Sequence, residues 1–196
     1  GGTITKTSSK SLTMATFSQS SLDNGSNCSL AAITRVLYYY NKNGYTKISN
    51  DYKTIYSKVK KIAKKYGYTS RDGISATKIN NVVNDVLKDY GYSKSNCKGI
   101  YVWNFKNQVK KEIDNNRPVI MNIARGYYGN HTVTVCGYAI YKRSSKKSKI
   151  SSNKTYNMIQ VYDGWTTYKR FIDYSAFAYD LVTSGFGSFN TVTMKK

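Results

Sequence analysis

The chain has 196 residues, 40% of them hydrophobic, and a formal charge of +21 from 31 Lys and Arg against 10 Asp and Glu. That is enough for a single domain, 1–196, with a sizeable core, and no apolar run approaches the length of a membrane-spanning helix. Three cysteines make no disulfide framework, although a Cys97–Cys136 bridge is arithmetically allowed, and a lone histidine excludes a histidine-rich metal centre.

The positive charge is spread along the chain and draws anionic partners: nucleic acid, an anionic bacterial wall polymer or an acidic protein surface. Lysine far outnumbers arginine, and no zinc-finger spacing or RNP-like string is present, which argues against nucleic acid. The first residues carry no signal-peptide pattern, which fits a cytosolic chain or a mature or trimmed form. Nothing in the composition calls for a metal or an organic cofactor.

Residues 1–27 hold a short alternating piece, Leu12 to Phe17, and then a turn-rich loop, Ser18 to Gly25. That loop is predicted to wrap across the mouth of a helix over about 28–40. Ser26 or Asn27 caps this helix, Leu30, Ile33, Val36 and Leu37 form its buried stripe, and Gly44 stops it. Cys28 in the first turn meets the positive end of the helix dipole, which favours a thiolate. A small buried cysteine under a loop is the plain alternative.

A second helix spans about 50–66, with Asn50 as cap and Ile55, Val59, Ile62, Ala63 and Tyr66 inward; its lysine-rich face is solvated. A third, about 76–89, follows Ser75. Both end in Tyr-Gly-Tyr, a shared stop signal. Gly99 to Trp103 reads as a short strand. A fourth helix over about 105–115 starts at the Asn104 cap, carries Phe105, Val109 and Ile113 on one face, and breaks at Arg117-Pro118. Strands are then predicted at Val119–Ile123, His131–Tyr141, Tyr156–Tyr162, Tyr168–Tyr174 and Phe189–Met194. Lys142 to Lys154 is the tip of a long hairpin or a disordered loop. The result is an α+β fold, a helical part over about 28–115 packed on a mostly antiparallel sheet over about 118–194.

Four residues fit one chemistry. Cys28 is a nucleophile at a helix start. His131, the only histidine, opens a strand and takes the thiol proton. Asp163 ends the neighbouring strand and holds the other imidazole nitrogen through its carboxylate. The 131–163 hairpin brings those two ends together, because antiparallel strands return to their origin. Gln19 and the Cys28 N–H meet the oxyanion. Tyr127, Tyr128 and Trp165 either line the cleft or pack beneath it.

These segments resemble the bacterial C39-like group of papain-like cysteine peptidases. Asn27-Cys28-Ser29-Leu30-Ala31-Ala32, with Gln19 upstream, is similar to that group's nucleophile segment. Arg117-Pro118-Val119-Ile120 and His131-Thr132-Val133-Thr134-Val135-Cys136-Gly137-Tyr138 resemble its histidine strand and the strand before it; Val161-Tyr162-Asp163-Gly164-Trp165 resembles its aspartate strand end. The resemblance implies a papain-like fold and a thiol peptidase acting on peptides or proteins. Together with the charge it points to a secreted or surface-associated bacterial protein. The same order of Cys, His and Asp also serves transglutaminase-like and peptidoglycan-amidase enzymes, and a wall-binding or protein-binding domain without catalysis could use the same fold.

Overall fold

The computed structural model describes residues 2–102, 104–147, 150–175 and 186–196. In chain order these form β1 (Thr3–Ser11), α1 (Cys28–Lys42), α2 (Tyr52–Lys65), α3 (Ile79–Asp89) and β2 (Asn96–Ile100). A wide π-type turn over Phe105–Lys110 runs into the short α4 (Lys111–Asp114). Then come β3 (Val119–Ile123), β4 (His131–Lys147), β5 (Ile150–Tyr162), β6 (Arg170–Asp173) and β7 (Phe186–Thr193).

The helices form where apolar residues recur at helical spacing, and they stop where glycine allows a left-handed residue. Gly44, Gly67 and Gly91 all have φ near +90° to +100°. The tyrosine after each closes the helix end: Tyr45 N–H to Tyr40 O, Tyr68 N–H to Ala63 O, Tyr92 N–H to Leu87 O. The α2 cap is Asp51, not Asn50, its carboxylate accepting from the Lys53 N–H at 3.0 Å. Ser75 caps a 3-10 turn, Ala76–Lys78, that leads into α3. Asn104 caps the fourth helix as expected, accepting from the Asn107 N–H at 3.1 Å, and Phe105, Val109 and Ile113 are all buried.

All strand pairs are antiparallel, and the sheet runs β2-β7-β3-β4-β5-β6 with β1 also on β4. Strand β4 serves two neighbours along one edge. Its start pairs with β3, from Ile123↔His131 to Val119↔Val135; beyond Cys136 it pairs with β1, from Ser11↔Gly137 to Thr3↔Ser144. A bulge at Cys136 marks the change, since Val135 faces Val161 and Gly137 faces Gln160. Glycine is required there: a Cβ on Gly137 would lie 2.6 Å from Lys10 O and 2.8 Å from Gln160 Oε1.

Two strand expectations change, and one open choice is settled. The N-terminal strand is Thr3–Ser11, a Thr, Ser and Lys edge that offers no apolar alternation; Leu12–Phe17 instead runs outside the strands and buries Leu12, Met14 and Phe17. Of the two readings of Lys142–Lys154 the long hairpin holds: the ladder runs through to Lys147↔Ile150, with 148–149 outside the described residues. The strand expected over Gly99–Trp103 is Asn96–Ile100, and Trp103 lies outside the described residues.

Helix α1 lies across β4 and β3, α2 packs on α1, and α3 on α2 and β2. One continuous apolar core fills the space between the helices and the sheet. The architecture is therefore α+β, with the helices on an antiparallel sheet to which β1 and β2 of the N-terminal half also belong. Among the described residues no helix is long and apolar enough to cross a membrane, and all three cysteines are free thiols.

Candidate active site

Cys28 is the first residue of α1 and is partly exposed. The helix start is not capped as expected. Ser26 Oγ donates instead to Arg71 O at 2.9 Å, and the Asn27 side chain donates to Gln19 O at 2.8 Å and to Tyr56 Oη at 3.3 Å. These bonds fasten neighbouring loops, and Asn27 Oδ1, the atom that would cap, is buried with no hydrogen-bond partner among the described residues. No side chain therefore covers the first-turn N–H groups at the helix's positive end.

His131, the first residue of β4, is buried against two aromatic rings. Tyr128 stacks on it at 5.5 Å and 12°, and Trp165 lies 4.5 Å away at 37°. Its Nε2 hydrogen-bonds the main-chain oxygen of Asp163. A carbonyl oxygen only accepts, so Nε2 carries a hydrogen and, in the neutral ring, Nδ1 is the free acceptor. Burial opposes a thiolate at Cys28. The hydrogen bond to His131, its charge, the Thr132 N–H and the Ser29 hydroxyl outweigh that burial and bring the thiol below its ordinary pKa. The other two cysteines behave oppositely: burial pushes Cys97 up to about 12 and Cys136 up to about 11.

The carboxylate of Asp163 is not the group that meets His131. It is fully buried, with Oδ1 accepting from the Trp165 N–H at 2.9 Å and the Thr166 N–H at 3.3 Å. Oδ2 accepts from the Tyr128 hydroxyl at 3.0 Å. Arg170 Nε lies 3.1 Å from Oδ2 as an ion pair, although its N–H is not aimed along a hydrogen bond. Burial and this carboxylate raise the Tyr128 phenol, which keeps it a donor. The carboxylate thus builds the turn after β5, and that turn presents the carbonyl to His131.

Gln19 is drawn to the same place from the other side. Its N–H donates to Gly164 O at 2.7 Å, while its own carbonyl takes the Asn27 amide. It therefore bridges the neighbours of Asp163 and Cys28. Its Oε1 is buried against Gly164 with no hydrogen-bond partner among the described residues. The segment before it is fastened by Arg35, which is 1% exposed. Arg35 donates to Ala15 O at 2.9 Å and to Phe17 O, and its guanidinium lies 4.4 Å from the Phe17 ring. Burial pushes this guanidinium down to about 10.

A cavity of about 560 Å³ opens beside Cys28 and His131. Its opposite wall is the loop after α2, including Arg71 and Ile74, and its floor includes Ser29, Thr132 and Asn122. Tyr127, Tyr128 and Trp165 stand apart from that wall. None of the three lines the cavity; they cluster with one another, Tyr128 and Trp165 against His131, with Tyr128 buried, Tyr127 77% and Trp165 44% exposed. Tyr128 is thus a packing residue beneath the site. Among the described residues no cluster of His, Cys, Asp or Glu is placed to hold a metal ion.

Sequence reasoning missed Ser29, Thr132, Asn122, Arg71 and Arg170. Only Asn122 left a signal, a lone amide inside the apolar strand Val-Ile-Met-Asn-Ile.

A family model described as "Peptidase_C39 like family" matches residues 11–180. The chain belongs to that family. No curated protein and no solved structure matches it.

Proposed function

We propose that this member of the C39-like peptidase family hydrolyses peptide bonds by acyl transfer through Cys28. The observation that carries the reading is that Cys28, at a helix start without a side-chain cap, lines one cavity with His131, whose far nitrogen is fixed by the Asp163 carbonyl. The thiol proton passes to His131 Nδ1. The thiolate attacks the substrate carbonyl, whose oxygen collects the negative charge and is met by the Cys28 N–H and the Gln19 side-chain amide. His131 protonates the departing amine, leaving an acyl-thioester on Cys28. His131 then takes a proton from water, which attacks the thioester and releases the acid. Tyr127 and Trp165 are exposed, Trp165 lies against His131 and Tyr127 against Trp165, which supports a role for the pair as a platform for one half of the substrate.

The charge of +21 supports a secreted or cell-surface setting beside an anionic polymer such as a bacterial wall. The test is Cys28 alkylation from pH 4 to 9, read by peptide mass, alongside digestion of denatured protein by the parent and by Cys28→Ala. Rapid labelling with an apparent pKa well below the free thiol's roughly 8.5, lost in His131→Ala, is the expected result. An ordinary thiol at Cys28 would leave the fold as a binding domain. Product that appears only with an added amine, or only from wall peptides, would assign a transglutaminase-like or amidase reaction instead.

A further inference from the structure

Helix α2 carries Lys53, Lys58, Lys60, Lys61, Lys64 and Lys65 and no acidic residue. Its apolar side is already used, since Ile55, Val59, Ile62 and Ala63 are buried in the core. The lysines crowd the other side. Lys58 and Lys61, Lys60 and Lys64, and Lys61 with both Lys64 and Lys65 stand three or four residues apart. Like charges at those separations oppose the helix they sit on. A face that only has to stay wet mixes both signs and avoids that repulsion.

A groove of about 770 Å³ lies between α2 and α3. Lys58, Lys61 and Lys65 line it from α2 and Lys88 from α3. Two carboxylates line it as well, and each has a partner. Asp89 holds Lys58 at 2.7 Å, and Asp85 accepts from the Tyr66 hydroxyl. Lys61, Lys65 and Lys88 are exposed and make no close ion pair among the described residues.

The lining selects the partner. Lysine ammoniums are point charges on flexible stems, which suit phosphate oxygens. No arginine and no aromatic ring lines the groove, so nothing there reads or stacks a nucleic-acid base. The apolar residues of α2 face the core, so the helix has no apolar face to lay into a lipid bilayer. A flexible polymer of phosphodiesters without bases fits this chemistry.

We propose that the α2–α3 groove binds an anionic wall polymer through its phosphodiester groups, with Lys61, Lys65 and Lys88 as the contact cations. This gives a place to the anionic-polymer setting proposed above, on which it rests, and is independent of acyl transfer. Lys61 and Lys65 are ~6 Å apart along the helix axis, and Lys88 faces them from α3, so phosphates are met from both walls. Each phosphate bound releases condensed counterions, so binding weakens as salt rises. None of the groove residues lines the cavity beside Cys28, so the polymer anchors the protein without covering that cavity.

The experiment measures binding of a synthetic poly(glycerol phosphate) oligomer at neutral pH and low salt. The parent is compared with Lys61→Gln/Lys65→Gln/Lys88→Gln and with a charge-matched control, Lys6→Gln/Lys106→Gln/Lys142→Gln. The control lysines are exposed on β1, the turn before α4 and β4. Glutamine keeps helix propensity, and thermal melting checks each fold. A lysine beside a dense anionic surface is worth roughly fivefold in affinity. The groove variant should therefore bind on the order of a hundredfold more weakly, and the control within about fivefold of the parent. Lysine acylation of the parent, read by peptide mass with and without the oligomer, needs no variant. It should show protection at Lys61, Lys65 and Lys88 and none at Lys6, Lys106 and Lys142. Equal weakening of the two variants, or protection spread evenly over all six lysines, overturns the groove. No binding by the parent overturns the anionic-polymer setting itself. Tighter binding of an oligothymidylate with the same number of phosphates assigns the groove to nucleic acid and overturns the choice of partner.

Discussion

Asp163→Asn separates a carbonyl-held histidine from a carboxylate-held one. The main-chain oxygen that receives His131 Nε2 survives the substitution. The asparagine oxygen can still accept the Trp165 and Thr166 N–H groups, and its new amide faces Tyr128, whose hydroxyl can turn to accept. Tautomer and ring orientation should therefore persist. What is lost is one negative charge. At an effective dielectric near 20, a unit charge a few ångströms from an imidazolium is worth about 3 to 4 kcal/mol. Arg170, 3.1 Å from that carboxylate, cancels part of it, so about 1 to 2 kcal/mol remains, or about a tenfold loss in Cys28 reactivity near neutral pH. A carboxylate that directly fixed the imidazole would cost about 10⁴-fold instead. The assay is the pH profile of Cys28 labelling in parent and variant, with thermal melting as the folding control. A loss of a thousandfold or more in a folded variant would refute the carbonyl assignment.

Three further outcomes are expected. Cys28→Ala should abolish hydrolysis of denatured protein, measured by product mass, and leave the melting temperature within about 3 °C, because the side chain is small and partly exposed. Gly137→Ala should cost about 1–3 kcal/mol, since its Cβ would lie 2.6 Å from the Lys10 carbonyl and β1 must move; amide exchange over Thr3–Ser11 should quicken. Asp23 binds Lys60 at 2.5 Å, and that hydrogen bond, opposed by burial and aided by the Asn24 N–H and the Tyr56 hydroxyl, holds its carboxyl below the ordinary value. The stability it supplies is present above the unfolded pKa of about 3.9 and lost as pH falls through the lower folded value. The melting-temperature gap between parent and Asp23→Asn should be open at pH 6 and close in strong acid.

The helices and most strands were legible because their apolar spacing is strong and their stops are glycines. Each Gly-Tyr pair after α1, α2 and α3 is read correctly as an end, since only glycine takes that left-handed position without strain. β1 was not legible: Thr3–Ser11 makes its ladder with main-chain groups while its side chains stay largely exposed, so the sequence shows no alternation. The start of α1 misled for a different reason. Ser26 and Asn27 have the chemistry of caps, but their hydrogen bonds to Arg71 O and Gln19 O orient the side chains so that neither oxygen meets a first-turn N–H. Asp163 was picked out by its place at a strand end. Which of its oxygens serves His131 depends on Arg170, Tyr128 and a turn that spacing does not reveal.

The buried polar side chains expose the logic of the site. Asn27, Ser29, Asn122, His131, Thr132, Asp163, Ser188 and Asn190 all sit in the interior around Cys28, where an apolar residue of similar size would pack at less risk. A burial cost concentrated in one place is informative. Away from it the sheet obeys the ordinary rule, with Val119, Ile120, Met121, Val133 and Val135 fully buried on the same two strands. Thr134, which receives Arg35, departs from it alone, whereas Asn122 and Thr132 break it together at one paired position, Asn122↔Thr132, one step from His131. Thr132 Oγ1 donates to Asn122 Oδ1 at 2.8 Å, Asn122 Nδ2 donates to Ser188 Oγ and Asn190 Oδ1, and Ser29 Oγ lies 2.9 Å from Thr132 Oγ1. Each side-chain hydrogen of that pair has a defined acceptor, so the pair fixes the register of β3 on β4 as well as the position of Ser29. A slip of one residue would strand both polar groups in apolar surroundings and turn His131 to the other face of the sheet. The same hydrogen bonds that hold the first turn of α1 against the sheet therefore also set the histidine opposite the cysteine.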